Sequence, residues 1–512
     1  MRARRVVLLL ALSGGCGARS GLDGRELPLG QAGSATTGGE AAQAGGSAVG
    51  GAGSRGGGGS SVGGFAGLPG AGRANGGSAG LPSGGRAGGD VGGSGFGGTA
   101  AAGEPSGGEA GEGGSGGAAT PPFVTRMVAG AFHSCAVLSD GSLRCWGSGG
   151  YIGSGNKVTI GDDEAPASIA PVKIGGEVQQ ISASWYDTCV RLDGQRLRCF
   201  GNGADGKLGY GNTQTIGDDE TPASAGDVDL VRGTLSVSAG PYHTCAALVL
   251  GFVRCWGKND HYQLGFSNTQ SIGDDELPSS ADYVNVGLTK QVAAGFSHTC
   301  ALLSRGAVRC WGSNATGALG YPGVDVVGDD ETPFEMPDVD VGGTVTQIVA
   351  GMLHTCALLE GGKVRCWGAG TDGRLGYGNV NTIGDDETPA SAGDVDVGGP
   401  VVQLAAGDYA TCALLQGGSV RCWGSGMMGE LGHANVENIG DDETPASAGD
   451  IDVGGVVSNV DVGFLHVCAT LQSGAARCWG RGSTGALGYG NLHDIGDDET
   501  PASAGDVPLL PP

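Results

Sequence analysis

The chain has 512 residues, 109 of them glycine, and its 28 Lys+Arg stand against 53 Asp+Glu for a net charge of −25. That balance repels a phosphate backbone, and without basic clusters to displace counterions nucleic-acid binding is excluded. No apolar run reaches the roughly 18–20 residues that span a bilayer, and most of the glycine excess precedes residue 121, which leaves 121–512 as the foldable part.

Residues 1–19 read as an export signal. Arg2, Arg4 and Arg5 precede a short apolar run over 6–12, too short for a transmembrane helix. The run ends in Leu12-Ser13-Gly14-Gly15-Cys16, which resembles the lipobox of bacterial lipoproteins. That resemblance implies acylation of Cys16 and attachment to a membrane through the lipid alone; the alternative is an ordinary secretory signal with an incidental cysteine. Residues 20–120 are rich in Gly, Ala and Ser, a composition that cannot offset its ordering entropy by burial, and they read as a disordered linker. An anchor and a long tether predict an extracytoplasmic protein on the outer membrane or cell surface, or alternatively a secreted one.

From residue 121 the chain repeats. Of its 15 cysteines, 14 fall into seven C-x₉-C pairs spaced 54 to 56 residues apart. They are Cys135 with Cys145, Cys189 with Cys199, Cys245 with Cys255, Cys300 with Cys310, Cys356 with Cys366, Cys412 with Cys422 and Cys468 with Cys478. Cys16 is the one left over. In the fifth repeat, strand-like runs over 345–349, 357–359 and 363–367 surround the tight-turn signal Glu360-Gly361-Gly362, and 394–397 gives a fourth. Seven such units predict an all-β, seven-bladed propeller. The first repeat lacks a strand of the 394–397 type ahead of it, so the segment 506–510 is expected to complete the first blade and close the ring.

The units resemble the repeats of the regulator of chromosome condensation family. The motif stands here as Ala294-Gly295-Phe296-Ser297-His298-Thr299-Cys300-Ala301-Leu302, then Val308-Arg309-Cys310-Trp311-Gly312, then Gly317-Ala318-Leu319-Gly320. The resemblance covers all seven repeats and implies the same propeller. The second repeat departs from the pattern, with Asp187 for His and Phe200 for Trp. A light-sensing member of the family uses Trp just after the "AG" pair; only Trp185 stands there, which disfavours photoreception. Nor does the namesake's nucleotide-exchange role suit an exported protein.

In each hairpin the two cysteines are equidistant from the turn, so they face each other within disulfide reach. A metal site is the competing reading, since His precedes many first cysteines by two. Asp187 and Ala410 replace that His in two repeats while the cysteines stay, and zinc wants four ligands. The expectation is seven disulfides and an oxidising compartment. His133, His243, His298, His354 and His466 recur once per blade and read as structural groups; the tryptophans of "CWG" read as packing between blades.

Every repeat also carries an acidic triplet: Asp162-Asp163-Glu164, Asp218-Asp219-Glu220, Asp274-Asp275-Glu276, Asp329-Asp330-Glu331, Asp385-Asp386-Glu387, Asp441-Asp442-Glu443 and Asp497-Asp498-Glu499. Three readings stand open. The triplets are calcium sites, carboxylates being its preferred hard ligands; or they pair with the Arg before each second cysteine (Arg144, Arg198, Arg254, Arg309, Arg365, Arg421, Arg477); or they are solvated loops copied with the repeat. No catalytic constellation emerges, and no cofactor other than calcium is implied. The expected function is a non-catalytic module binding a protein or cell-surface ligand, with a displayed polysaccharide-active enzyme and a purely structural surface protein as alternatives.

Overall fold

The computed structural model describes residues 121–510; the predicted signal, Cys16 and the linker lie outside the described residues. Seven antiparallel sheets follow one another along the chain. The innermost strands are Val124–Ala129, Val178–Ala183, Thr234–Ala239, Thr289–Ala294, Val345–Ala350, Val401–Ala406 and Val457–Val462. Blade five is typical: its inner strand pairs with a middle strand, His354–Leu359, which pairs with an outer strand, Val364–Gly368. Middle strands are buried on both faces, which is why they read HTCALL with no polar alternation. Among the described residues no helix is long and apolar enough to cross a membrane.

Each inner strand carries a bulge at its second residue, seen as a register shift between Val345 and Gln347 in blade five. Bulges re-aim side chains, and here the third residue turns toward the next blade. Gln347 donates to the Leu404 carbonyl at 2.8 Å and accepts from the Leu404 N–H at 2.9 Å. Gln180, Gln291 and Gln403 do the same to Val237, Ile348 and Val460. These amides supply the hydrogen bonds that adjacent sheets cannot make with backbone alone, and they line a central channel of about 320 Å³.

Farther out, a second set of bonds latches each blade to its neighbour. Trp367 Nε1 donates to the Ala318 carbonyl of the preceding blade at 2.9 Å, and the Thr355 hydroxyl donates to the same oxygen at 3.0 Å. Because that hydroxyl spends its proton there, the His298 ring nitrogen 3.0 Å from the Thr355 oxygen must be the donor, which fixes an Nε2–H tautomer. His243 and Thr299, His354 and Thr411, and His466 and Ser134 repeat the contact. Burial holds these imidazoles neutral, with His298 lowered to about 4 and His243 and His466 to about 3. The histidines are inter-blade struts.

The cysteines oppose one another across the middle and outer strands of every blade. Cys135 stands opposite Cys145, Cys189 opposite Cys199, Cys245 opposite Cys255 and Cys300 opposite Cys310. In the last three blades Cys356 stands opposite Cys366, Cys412 opposite Cys422 and Cys468 opposite Cys478. All seven pairs are at disulfide distance, with Cα atoms 4.0–4.1 Å apart. Each pair occupies directly facing ladder positions, as Cys356 and Cys366 do in blade five.

Two expectations fail. The 394–397 segment is not a strand. Its Val395 N–H reaches the Val364 carbonyl, but in the equivalent segments Val341 and Val453 bond back to Val339 and Ile451, two residues earlier, so the chain turns away from the ladder. Six sheets are three-stranded; only blade four gains a fourth strand, Val326–Val327, at a position where the others make a single bridge such as Gly368 to Ile383. Nor does the tail complete blade one. Val507 bonds to Ala476 of its own blade, because the segment follows directly on the loop of that blade.

Candidate functional site

Three residues join the inner to the middle strand in each blade, at one end of the channel. The first is usually glycine because the imidazole lies against it: a Cβ on Gly351 would stand 2.2 Å from His354 Cε1. The next two carry no such restriction and are large in most blades. Phe132 stacks on Tyr186 with centroids 4.7 Å apart, and Tyr242 meets Phe296 edge-on at 4.9 Å.

Trp185 closes the mouth. Starting from blade two, its ring meets Tyr242 at 5.7 Å, Phe296 at 6.0 Å and Phe464 at 6.0 Å, so it touches blades three, four and seven. Its Nε1–H donates to Asp408 Oδ2 of blade six at 2.7 Å. Beneath lies a cavity of about 60 Å³, lined in part by Gly130, Pro241, Met352 and Phe464. Burial pushes the Asp408 carboxyl up to about 7, against the pull of the indole bond and of Arg374. Two cations stand against these rings: the half-buried Lys258 lies 5.0 Å over the Tyr242 ring and the buried Arg374 5.2 Å over Tyr409.

The sequence singled out Trp185 only as a lone tryptophan. Its partners sit on four other repeats at positions that vary between copies, so the cap becomes visible only when the ring closes. The available signal was bulk: aromatic side chains keep appearing between the "AG" pair and the histidine.

The acidic triplets lie at the same end. Gly368 pairs with His354 on one side and bridges Ile383 on the other; the cap position is two residues before His354, and Asp385 is two residues after Ile383. The triplet loop packs on the preceding blade, where a Cβ on Gly384 would stand 2.4 Å from the Gly317 carbonyl. Within a triplet one oxygen from each carboxylate lies within 4.8 Å of the others. Glu331 and Glu220 accept N–H bonds from Gly328 and Gly217 of their own loops. Burial, then the neighbouring aspartates, raises the glutamate of every triplet.

The arginine reading of the triplets is overturned. Arg198, Arg309, Arg365, Arg421 and Arg477 pair instead with Asp227, Asp338, Asp394, Asp450 and Asp506, at 2.7–3.0 Å. Each lies on an outer strand beside its own blade's 394-type segment, which brings that aspartate alongside. Where Pro171 and Tyr283 replace the aspartate, Arg144 turns to the Pro166 and Ile169 carbonyls and Arg254 stacks 4.3 Å over the Tyr283 ring. The ion pair that reaches a triplet among the described residues is Lys157 with Asp218, at 3.1 Å.

The profile of the RCC1-like domain matches residues 197–511, and that of the regulator of chromosome condensation (RCC1) repeat matches 124–151. The chain belongs to the RCC1-like family. The ultraviolet-B receptor UVR8 of Arabidopsis thaliana is 28% identical over 381 residues, covering 73% of this chain and 81% of that protein. The E3 ubiquitin-protein ligase HERC2 of Homo sapiens is 28% identical over 362 residues, 69% of this chain but only 7% of HERC2. Among solved structures, yeast RCC1 (Prp20) bound to Kap60 aligns with a TM-score of 0.54 at 17% identity, over 74% of this chain and 84% of that one. Prp20p of Saccharomyces cerevisiae, described with its binding to Gsp1p and histones, also gives 0.54 at 17%, over 75% and 86%. These structural likenesses establish the RCC1-like fold.

Proposed function

We propose that this chain is an exported, surface-tethered, non-catalytic propeller that binds a protein partner on its capped face. The observation that carries the reading is the Trp185 cap: aromatic rings contributed by several blades converge on one spot at the end of the blades that carries the acidic triplets. Half-buried aromatics at the centre of a polar surface are the usual anchors of protein recognition. The surrounding charge selects a partner with an apolar centre and a basic margin. Relatives that work with proteins support this: Prp20 is held by Kap60 in one structure and is described as binding Gsp1p and histones in another.

Export is supported by the signal-like residues 1–19 and by seven cysteine pairs at disulfide distance, which persist in oxidising compartments. Lipid on Cys16 would hold the chain at the outer membrane or cell surface; without it the protein is secreted. An enzyme acting on polysaccharide needs a second carboxylate opposed to the first. Asp408 is the one carboxylate among the residues lining the cavity, and Trp185 covers it.

The test places a photo-crosslinking side chain at Phe464 of the full chain, and in a second variant at Leu250, an exposed turn at the opposite end of the blades. One protein species crosslinked from Phe464, absent from Leu250 and weakened by salt, is expected. Equal yields from both positions, or none from either, would leave the structural reading. Fractionation with detergent partition, repeated on Cys16→Ser, tests the anchor.

A further inference from the structure

Blade two breaks the latch pattern. Its middle strand begins with Asp187 where five others begin with histidine, and Lys207 occupies the loop position held by Gln263 or Ala318 elsewhere. Both side chains are buried, 0% and 4% exposed, with Lys207 Nζ 2.7 Å from Asp187 Oδ1. A buried ion pair holds together by good geometry and further hydrogen bonds on its remaining lone pairs. Here, apart from the Lys207 amine, neither Asp187 oxygen has a hydrogen-bond partner. The amine also donates to the Pro241 carbonyl at 3.1 Å.

We propose that Lys207 and Asp187 condense to an intramolecular amide, an isopeptide cross-link inside the ring. Condensation needs the amine and the carboxyl in their neutral forms. Burial raises the Asp187 carboxyl, against the pull of Lys207, and transfer of one proton from ammonium to carboxylate removes both charges from a low-dielectric interior. The Nζ lone pair then attacks Cγ, and the Cγ–OH bond breaks. The hydroxyl leaves with one N–H proton as water. Atoms and charge balance, and no oxidant or reductant enters. In water the free groups favour hydrolysis, but two groups fixed in contact react with effective molarities of about 10⁵–10⁸ M.

The bond would staple the loop whose Lys207 carbonyl receives the Thr244 hydroxyl and the Trp256 indole of blade three. That is one of two interfaces without a histidine strut, the other following Ala410 of blade six.

The experiment is a tryptic map of the purified full chain after reduction and alkylation, which removes the Cys189–Cys199 link. The expected result is no cleavage after Lys207, with peptide 174–191 joined to 199–232 and the pair lighter by one water. Free 174–191 and 199–207 at full yield would overturn the proposal. So would loss of water confined to 174–191, which marks a succinimide at Asp187. Lys207→Arg keeps the charge and should abolish the joined species and restore a cut after residue 207. The wild-type map decides the question even where that variant does not fold.

Discussion

The Trp146 indole donates to the Ala486 carbonyl across 2.9 Å, joining residues 340 apart in the sequence. The Ser134 hydroxyl fills the second lone pair of that oxygen, also at 2.9 Å. Trp367 and Thr355 treat Ala318 the same way, so the last blade meets the first as any neighbours meet. Asp461 supports the seam from the channel side by accepting the Ala129 N–H at 2.9 Å. Closure rests largely on the Trp and hydroxyl contacts that most blades repeat, and no strand needs to be borrowed.

Trp146→Phe should therefore weaken the seam modestly. Phe200 fills the equivalent place in blade two and is fully buried, so the ring volume is tolerated. The lost indole bond costs about 1 kcal/mol, since Ser134 still serves the carbonyl. Trp146→Ala leaves a cavity and should cost about 3–5 kcal/mol. Urea denaturation measures both. Equal losses from the two variants would show that the bond, and not the ring, carries the closure.

Acid should destabilise the propeller above the ordinary carboxylate range. A histidine lowered in the folded state contributes stability that is present above its unfolded value near 6.5 and is lost as the pH falls toward its folded value. His133 and His298 are lowered to about 4, His243 and His466 to about 3, and His354 well below its ordinary value. Each costs up to about 1.4 kcal/mol per pH unit below 6.5. Asp408, raised to about 7, acts in the opposite sense: its contribution is complete at low pH and lost as the pH rises through 7. Asp461 shares that sign but borders the channel and counts for less. Asp187, Glu430 and the triplet glutamates are raised too and share the sign of Asp408. The triplet glutamates are only partly buried, however, and the five fully buried imidazoles set the slope, so melting temperature should drop from pH 6.5 to 5. Replacing His298 with Gln should flatten that slope. A melting temperature that holds steady or rises over that range would contradict the neutral-strut account.

The fold was legible because each repeat writes its strands, turn and cysteines with the same spacing, and repetition averages out local ambiguity. What escaped was whatever depends on neighbouring repeats. The 394–397 segment has strand-like valines, but one ladder bond and a tight turn decide against it. Arg365 could have reached either acidic group by composition; only the course of the outer strand selects Asp394. Trp185 joins four other blades, and no single repeat contains that information.

Removing one cysteine pair should cost stability without changing the architecture. For Cys300→Ala with Cys310→Ala, an eleven-residue loop gives about 2.5–3 kcal/mol in the chain-entropy model. The neighbouring struts His243 to Thr299 and His298 to Thr355 remain to hold the blade. Differential denaturation of reduced and oxidised protein checks the sum over all seven pairs. A reduced protein as stable as the oxidised one would mean the thiols are not joined in the native chain.

Calcium should stabilise this protein no more than magnesium at matched ionic strength. Calcium takes six to eight oxygen ligands, while each triplet gathers three carboxylates, and Glu331 and Glu220 already spend an oxygen on their own loop N–H groups. Both cations will screen the crown of negative charge to similar extents and raise the melting temperature slightly. The measurement is a thermal melt in EDTA, then in millimolar magnesium, then in millimolar calcium. Were calcium alone to add many degrees, the loops would be cation sites after all, since a ligand bound only to the folded state stabilises by RT ln(1 + [L]/Kd).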